Sequence, residues 1–131
     1  MNLYDKDDGF RCFRIDEANA LLAKIITITE RTMISLNQIR EKRQGEGLAV
    51  EDEVDEETAE ILQQWSAEMV RLGVYPKGFF TVDFKSYIPD TLLCWTYGEQ
   101  EITHIHKIYE NFKDRVAIKD KHFLGFQDSL N

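Results

Sequence analysis

Cysteine and proline are scarce in this chain, two of each in 131 residues. Cys12 and Cys94 show no CxxC spacing, which excludes a disulfide framework and suits two unpaired thiols in a reducing compartment. No apolar run approaches the length of a membrane span. The amino-terminal "MNLYDKDDGF" is polar and acidic and reads as neither a secretory nor a transit peptide, so a cytoplasmic location is expected. Basic excess is also missing. The formal charge is −8, and residues 46–60, "EGLAVEDEVDEETAE", hold eight acids and no base. Outside that stretch 16 acids balance 16 Lys plus Arg. A nucleic-acid surface needs a basic patch, so nucleic acid is not an expected partner. The chain also lacks a Gly-rich phosphate loop, a GxSxG elbow and an HExxH helix.

What is present begins with a helical pattern. From Asp16 to about Gln44 there is no Gly or Pro, and Ala18, Leu21, Leu22, Ile25, Ile28, Thr29, Leu36 and Ile39 fall on one broad face. Such a helix reaches roughly 40 Å. Two glycines in "QGEGLAVED" break it, and Val54, Ile61, Leu62, Trp65, Met69 and Leu72 carry a second pattern up to "RLGVYP". Gly73 suits the C′ position, and Pro76 prevents resumption. The two segments predict an antiparallel hairpin over about 16–72. Its charge runs then match the helix dipoles, with "REKR" at a carboxyl end and "EDEVDEE" at an amino end.

After Gly78 the pattern changes. "FFTVDF" and "TLLCWTY" are rich in aromatic and β-branched residues, with the turn-like "KSYIPD" between them and "YGEQEI" after them. Residues 99–116 are ambiguous, since Ile102, Ile105, Tyr109, Phe112 and Val116 also fit a helical period. Trp65 and Trp95 read as core anchors, and Cys94 as a small buried hydrophobe rather than a nucleophile.

"FRIDEANALL" at 13–22, "LGVYPKG" at 72–78, "VDF" at 82–84, "LCWTYGEQEITHIH" ending at His106 and "NFKDR" ending at Arg115 occur in order. Together they resemble the bacterial domain of unknown function 2203. The resemblance reaches Ile118 and leaves about 119–131 as a carboxy-terminal extension. The chain also departs from the family pattern. Arg14 stands where relatives carry a Thr able to cap the first helix, which leaves Asp16 to cap it. Ile105 replaces a Trp. Relatives carry glycines near "ENFKDR", which argues against a helix there and for a third strand near 101–107. The family is uncharacterised, so the resemblance implies no activity.

The polar positions that match the family motif are Lys77, Asp83, Glu99, His106 and Arg115. A His flanked by carboxylates can act as a general base, so His106, Glu99 and Asp83 are the catalytic candidates. Lys77 and Arg115 can hold an anionic ligand. Asp83, Glu99 and His106 could also form a metal site. The competing reading makes all five a structural hydrogen-bond network. His104 matches no motif position and reads as a surface or edge residue, and His122 carries no signal. If Tyr97 pairs with Ile102, then Trp95 faces His104 and Leu93 faces His106 on one side of the sheet, and Cys94 and Ile105 take the other.

The expectation is an α+β domain, a long antiparallel helical hairpin followed by a three-stranded antiparallel β-meander over about 79–107. Its leading function is a non-catalytic cytoplasmic interaction or scaffold-like domain. The alternative is a small-ligand-binding module or metal-dependent enzyme around Asp83, Glu99, His106 and Arg115. No cofactor is predicted. Ile34 lies off the main helical face and motivates a homodimer through the hairpin.

Overall fold

The stretch without helix breakers forms α1, Ile15–Glu46, and the second pattern forms α2, Glu51–Arg71. The computed structural model describes residues 10–46, 51–78 and 80–118, and only the backbone of residues 51–55. The extension at 119–131, with His122, lies outside the described residues, as do the acidic side chains of 51–55. At the start of α1, the Arg14 backbone N–H donates to Glu17 Oε1 at 2.8 Å, the return arm of a capping box. Glu17 thus does the work expected of Asp16, whose exposed carboxylate accepts from Arg14 Nε at 3.3 Å instead. At the end of α2, Gly73 N–H donates to the Val70 carbonyl and Val74 N–H to the Met69 carbonyl. That pair of bonds is a Schellman motif, and it places Gly73 at C′ with φ of 89°.

Among the described residues six strands accompany the helices, three more than the expected meander. The three predicted ones are β3, Thr81–Ser86, β4, Thr91–Thr96, and β5, His104–Lys107. The additions are β1, Cys12–Phe13, β2, Tyr75–Lys77, and β6, Val116–Ala117. The sheet runs β1-β3-β4-β5-β6, with β2 also on β3, and it is mixed because β1 pairs parallel to β3. β1 meets the carboxyl end of β3 at Lys85 and Ser86, while β2 meets its amino end from Thr81 to Asp83. Both helices therefore connect to one edge of the sheet. No helix spans 99–116: β5, a 3-10 turn at Phe112–Asp114 and β6 occupy that segment.

The register of β4 against β5 differs by one residue from the expected pairing. Cys94 lies opposite His104 and Leu92 opposite His106. The connection responsible is tied by side chains. Glu99 Oε1 accepts the Thr96 N–H at 2.8 Å, the Trp95 indole donates to the Glu99 carbonyl at 2.8 Å, and Asn19 Oδ1 accepts the Ile102 N–H at 2.7 Å. A slip of one residue exchanges the faces of a strand. Trp95 and the histidines thus lie on opposite sides, contrary to the expectation.

Val82, Phe84, Leu93 and Trp95 face the helices and join Phe13, Ala18, Leu22, Ile25, Trp65 and Met69 in the main core. Phe13 meets Phe84 edge to face at 5.2 Å. The Trp65 indole donates to Thr29 Oγ1 at 2.9 Å, which satisfies the one polar atom this core anchor carries. The buried run of α1 stops at Thr32.

Candidate functional site

Strand alternation places Tyr75, Asp83 and Cys94 in one row across β2, β3 and β4, on the face away from the helices. Asp83 is 1% exposed and Cys94 fully buried. His106 on β5 leans diagonally toward Asp83, and its Nε2 lies 3.1 Å from Asp83 Oδ1. Its Nδ1 lies 2.7 Å from the Lys107 carbonyl. A carbonyl oxygen only accepts, so Nδ1 carries a proton. A carboxylate facing Nε2 calls for a second one. Both contacts are met by imidazolium, and the Asp83 hydrogen bond raises the His106 pKa above its ordinary 6.5 against the opposing effect of burial.

The second oxygen of Asp83 is different. Oδ2 is buried and has no hydrogen-bond partner. Lys77 Nζ approaches it to 3.8 Å, an ion pair too long to be a hydrogen bond. Cys94 is held as a thiol, pushed up to about 12 by burial and by the neighbouring Asp83 charge. Burial and the raised pKa both work against nucleophilic chemistry at this thiol, in keeping with its setting in an apolar strand.

Glu99 and Arg115 do not contact the Asp83–His106 pair directly. Arg115 forks onto Glu99, with Nη1 to Oε1 at 3.2 Å and Nη2 to Oε2 at 3.0 Å. The same Glu99 holds the turn after β4 and has His104 Nδ1 at 3.7 Å. The Arg115 guanidinium also stacks 4.2 Å above the Phe112 ring. Its charge reaches Cys94, which links this bolt to the dyad. The five motif positions thus form two adjoining groups. Lys77, Asp83 and His106 make one, Glu99 and Arg115 the other, with Cys94 between them. Cys94 is the member that residue type alone does not reveal. Only the β3–β4 register, Asp83 opposite Cys94, brings it in. His104, expected at the surface or an edge, is half-buried beside Thr103 on β5, which β6 flanks.

The segment after β5 folds back over this face. The Lys107 N–H donates to Glu110 Oε1 at 2.7 Å, and the Asn111 N–H to Asp114 Oδ2 at 3.0 Å. Between segment and sheet lies a cleft of about 690 Å³ whose walls include Lys77, Thr81, Asp83, His106, Phe112 and Lys113. Its size suits a small molecule. The cleft combines a half-exposed aromatic ring, two lysines and Asp83, whose Oδ2 lacks a hydrogen bond. No described helix is long and apolar enough to cross a membrane.

Residues 11–118 match the model of the family described as "Uncharacterized conserved protein (DUF2203)", and the chain belongs to that family. No curated protein and no solved structure matches it.

Proposed function

We propose that this DUF2203 protein is a binding module for a compact polar molecule, seated in the cleft between the sheet and residues 108–115. One observation carries the reading: Asp83 Oδ2 is buried in a cleft wall without a hydrogen bond. Leaving such a group unsatisfied costs about 1–3 kcal/mol. Buried polar atoms nearly always have a hydrogen bond, so one that has only a long ion pair to Lys77 beside a cavity marks a place for a ligand donor. An amine, amide or hydroxyl of the ligand would meet that oxygen. Lys77 and Lys113 favour an anionic group beside it, and Phe112 offers an apolar surface. Two free cysteines fit a reducing, cytoplasmic setting.

Native mass spectrometry of the purified chain, paired with thermal-shift screening against small polar metabolites, tests this. The expected result is one bound molecule, held at least tenfold more weakly by Lys77→Ala, whose side chain is 44% exposed and tolerates truncation. A chain that carries nothing and responds to no compound would end the reading.

A second reading, a non-catalytic interaction or scaffold-like domain, is favoured by the far half of the hairpin. Among the described residues, α1 has no buried side chain after Thr32 and α2 has none before Trp65. Ile34 is 57% and Leu62 38% exposed there. Two helices cannot enclose a core by themselves, so a second copy packing against them as a bundle would complete it. Light scattering decides: a 15.4 kDa species alone at micromolar concentration counts against the dimer.

A further inference from the structure

We propose that Asp83, Cys94 and His106 bind a divalent transition metal of the zinc class, with a fourth position turned to the cleft. A carboxylate oxygen, the Cys94 sulfur and an imidazole nitrogen all lie within 4.8 Å of one another. A tetrahedral zinc ion spaces its ligand atoms by roughly 3.5 Å, so closure asks for side-chain adjustments on the order of 1 Å. The mixed O, S and N donor set suits zinc or a neighbouring transition metal and disfavours magnesium and calcium, which take oxygen.

Two further features support the assignment. The His106 ring is already oriented, because Nδ1 donates to the Lys107 carbonyl at 2.7 Å and leaves Nε2 toward the cluster. Ligating histidines are commonly fixed by such a bond. Asp83 Oδ2, buried without a hydrogen bond and held by the 3.8 Å ion pair to Lys77, keeps lone pairs that a metal can take. The nearby Lys77 and Arg115 repel a dication. Yet binding exchanges one proton from His106 Nε2 and one from the Cys94 thiol for the M²⁺ ion, and the summed charge of the three groups and the ion stays at zero. The three protein ligands stand without any organic molecule. The ligand-binding reading places an organic donor on Asp83 Oδ2 in the metal-free chain, whereas the metal is tested by itself, so each can fail alone.

The experiment uses the full chain in a Cys12→Ala background, stripped with a chelator and titrated with Co²⁺ alone. The expected result is one equivalent bound, with a thiolate-to-cobalt charge-transfer band that Zn²⁺ abolishes. Cys94→Ser should lose the band with its far-ultraviolet circular dichroism unchanged, and His106→Ala should bind at least tenfold more weakly. A parent without the band, or a band that survives Cys94→Ser, overturns the proposal. Should Cys94→Ser fail to fold, X-ray absorption of the Zn²⁺-loaded Cys12→Ala chain decides. One sulfur neighbour beside nitrogen and oxygen is expected, and a shell without sulfur overturns the site.

Discussion

The two faces of the sheet are built from the same strands and obey different rules. Toward the helices, Val82, Phe84, Leu93 and Trp95 are buried among apolar neighbours, and none of the residues in that buried cluster is ionisable. Away from the helices, the alternate positions of the same strands bury Thr81, Asp83, Lys85, Cys94 and His106. An apolar face is stabilised by area removed from water and is indifferent to pH. A buried polar face must satisfy each atom, and every unsatisfied one costs energy. In this protein the second face leaves one oxygen of Asp83 unmet. The helix side holds the apolar core, and the opposite side holds the buried polar and charged groups.

The largest effect should come from the helix side. Trp95→Ala removes a fully buried indole and its bond to the Glu99 carbonyl. About 3–5 kcal/mol of stability should be lost in denaturant melts, comparable with other large core truncations. A loss below about 1 kcal/mol would mean that this face is not the main core. The bolt beside the site comes next. Arg115→Ala leaves Glu99, 19% exposed at its side chain, without its fork. A cost of roughly 1.5–3 kcal/mol follows for a charged hydrogen-bonded partner. Because Glu99 also holds the turn that sets the β4–β5 register, the loss should extend to amide exchange protection in β5. Unchanged protection there would detach the bolt from the register.

That turn also explains what was legible in the sequence. The helices could be read because breakers are absent from 16–44 and Gly73 stands where a C′ glycine belongs. β3 and β4 could be read from their aromatic and β-branched runs. β1 and β6 are two residues each and β2 is three with a proline at its centre, too short for any periodicity. Lys77, Asp83 and His106 are legible because the family motif marks them, whereas the expected pairing puts His106 on the face of Trp95 and the structure puts it on the other. The Glu99 side chain, folding back to Thr96, sets an offset of one residue that strand patterns cannot encode. Cys94 is buried, as its apolar strand implies. Its place beside Asp83 depends on pairing, which composition does not carry.

A third test asks whether the polar face responds to pH. The His106 pKa lies above its unfolded value of 6.5, chiefly through the Asp83 hydrogen bond. The charged His106 is favoured in the folded state, so its contribution is complete below about pH 6.5 and fades as pH rises through the folded pKa. The groups facing the ring are Asp83 from β3, Cys94 from β4 and Lys77 from β2. His106→Ala should cost about 1–3 kcal/mol at low pH, since it strips Asp83 Oδ1 of its donor. The deficit should shrink as pH rises through that window, while Trp95→Ala keeps a constant one. Parallel pH profiles for the two variants would erase the distinction between the faces.

The smallest effect on stability should fall at the rim of the polar face. Phe112 is 46% exposed, and its described ring contact is the Arg115 guanidinium 4.2 Å away. A cation–π pair at such a site contributes about 0.5–1 kcal/mol, and little apolar area is buried with it. Phe112→Ala should therefore lower stability by no more than about 1 kcal/mol in a denaturant melt. The same change removes the apolar surface of the cleft, so capture of a small molecule should weaken at least fivefold while Co²⁺ binding by the apo chain stays unchanged. This separation is the sharpest form of the comparison, because no helix-side residue could weaken the cleft at so small a cost in stability. A Phe112→Ala chain that melts several kcal/mol earlier would make the ring part of the core. One that binds ligand as the parent does would remove Phe112 from the site.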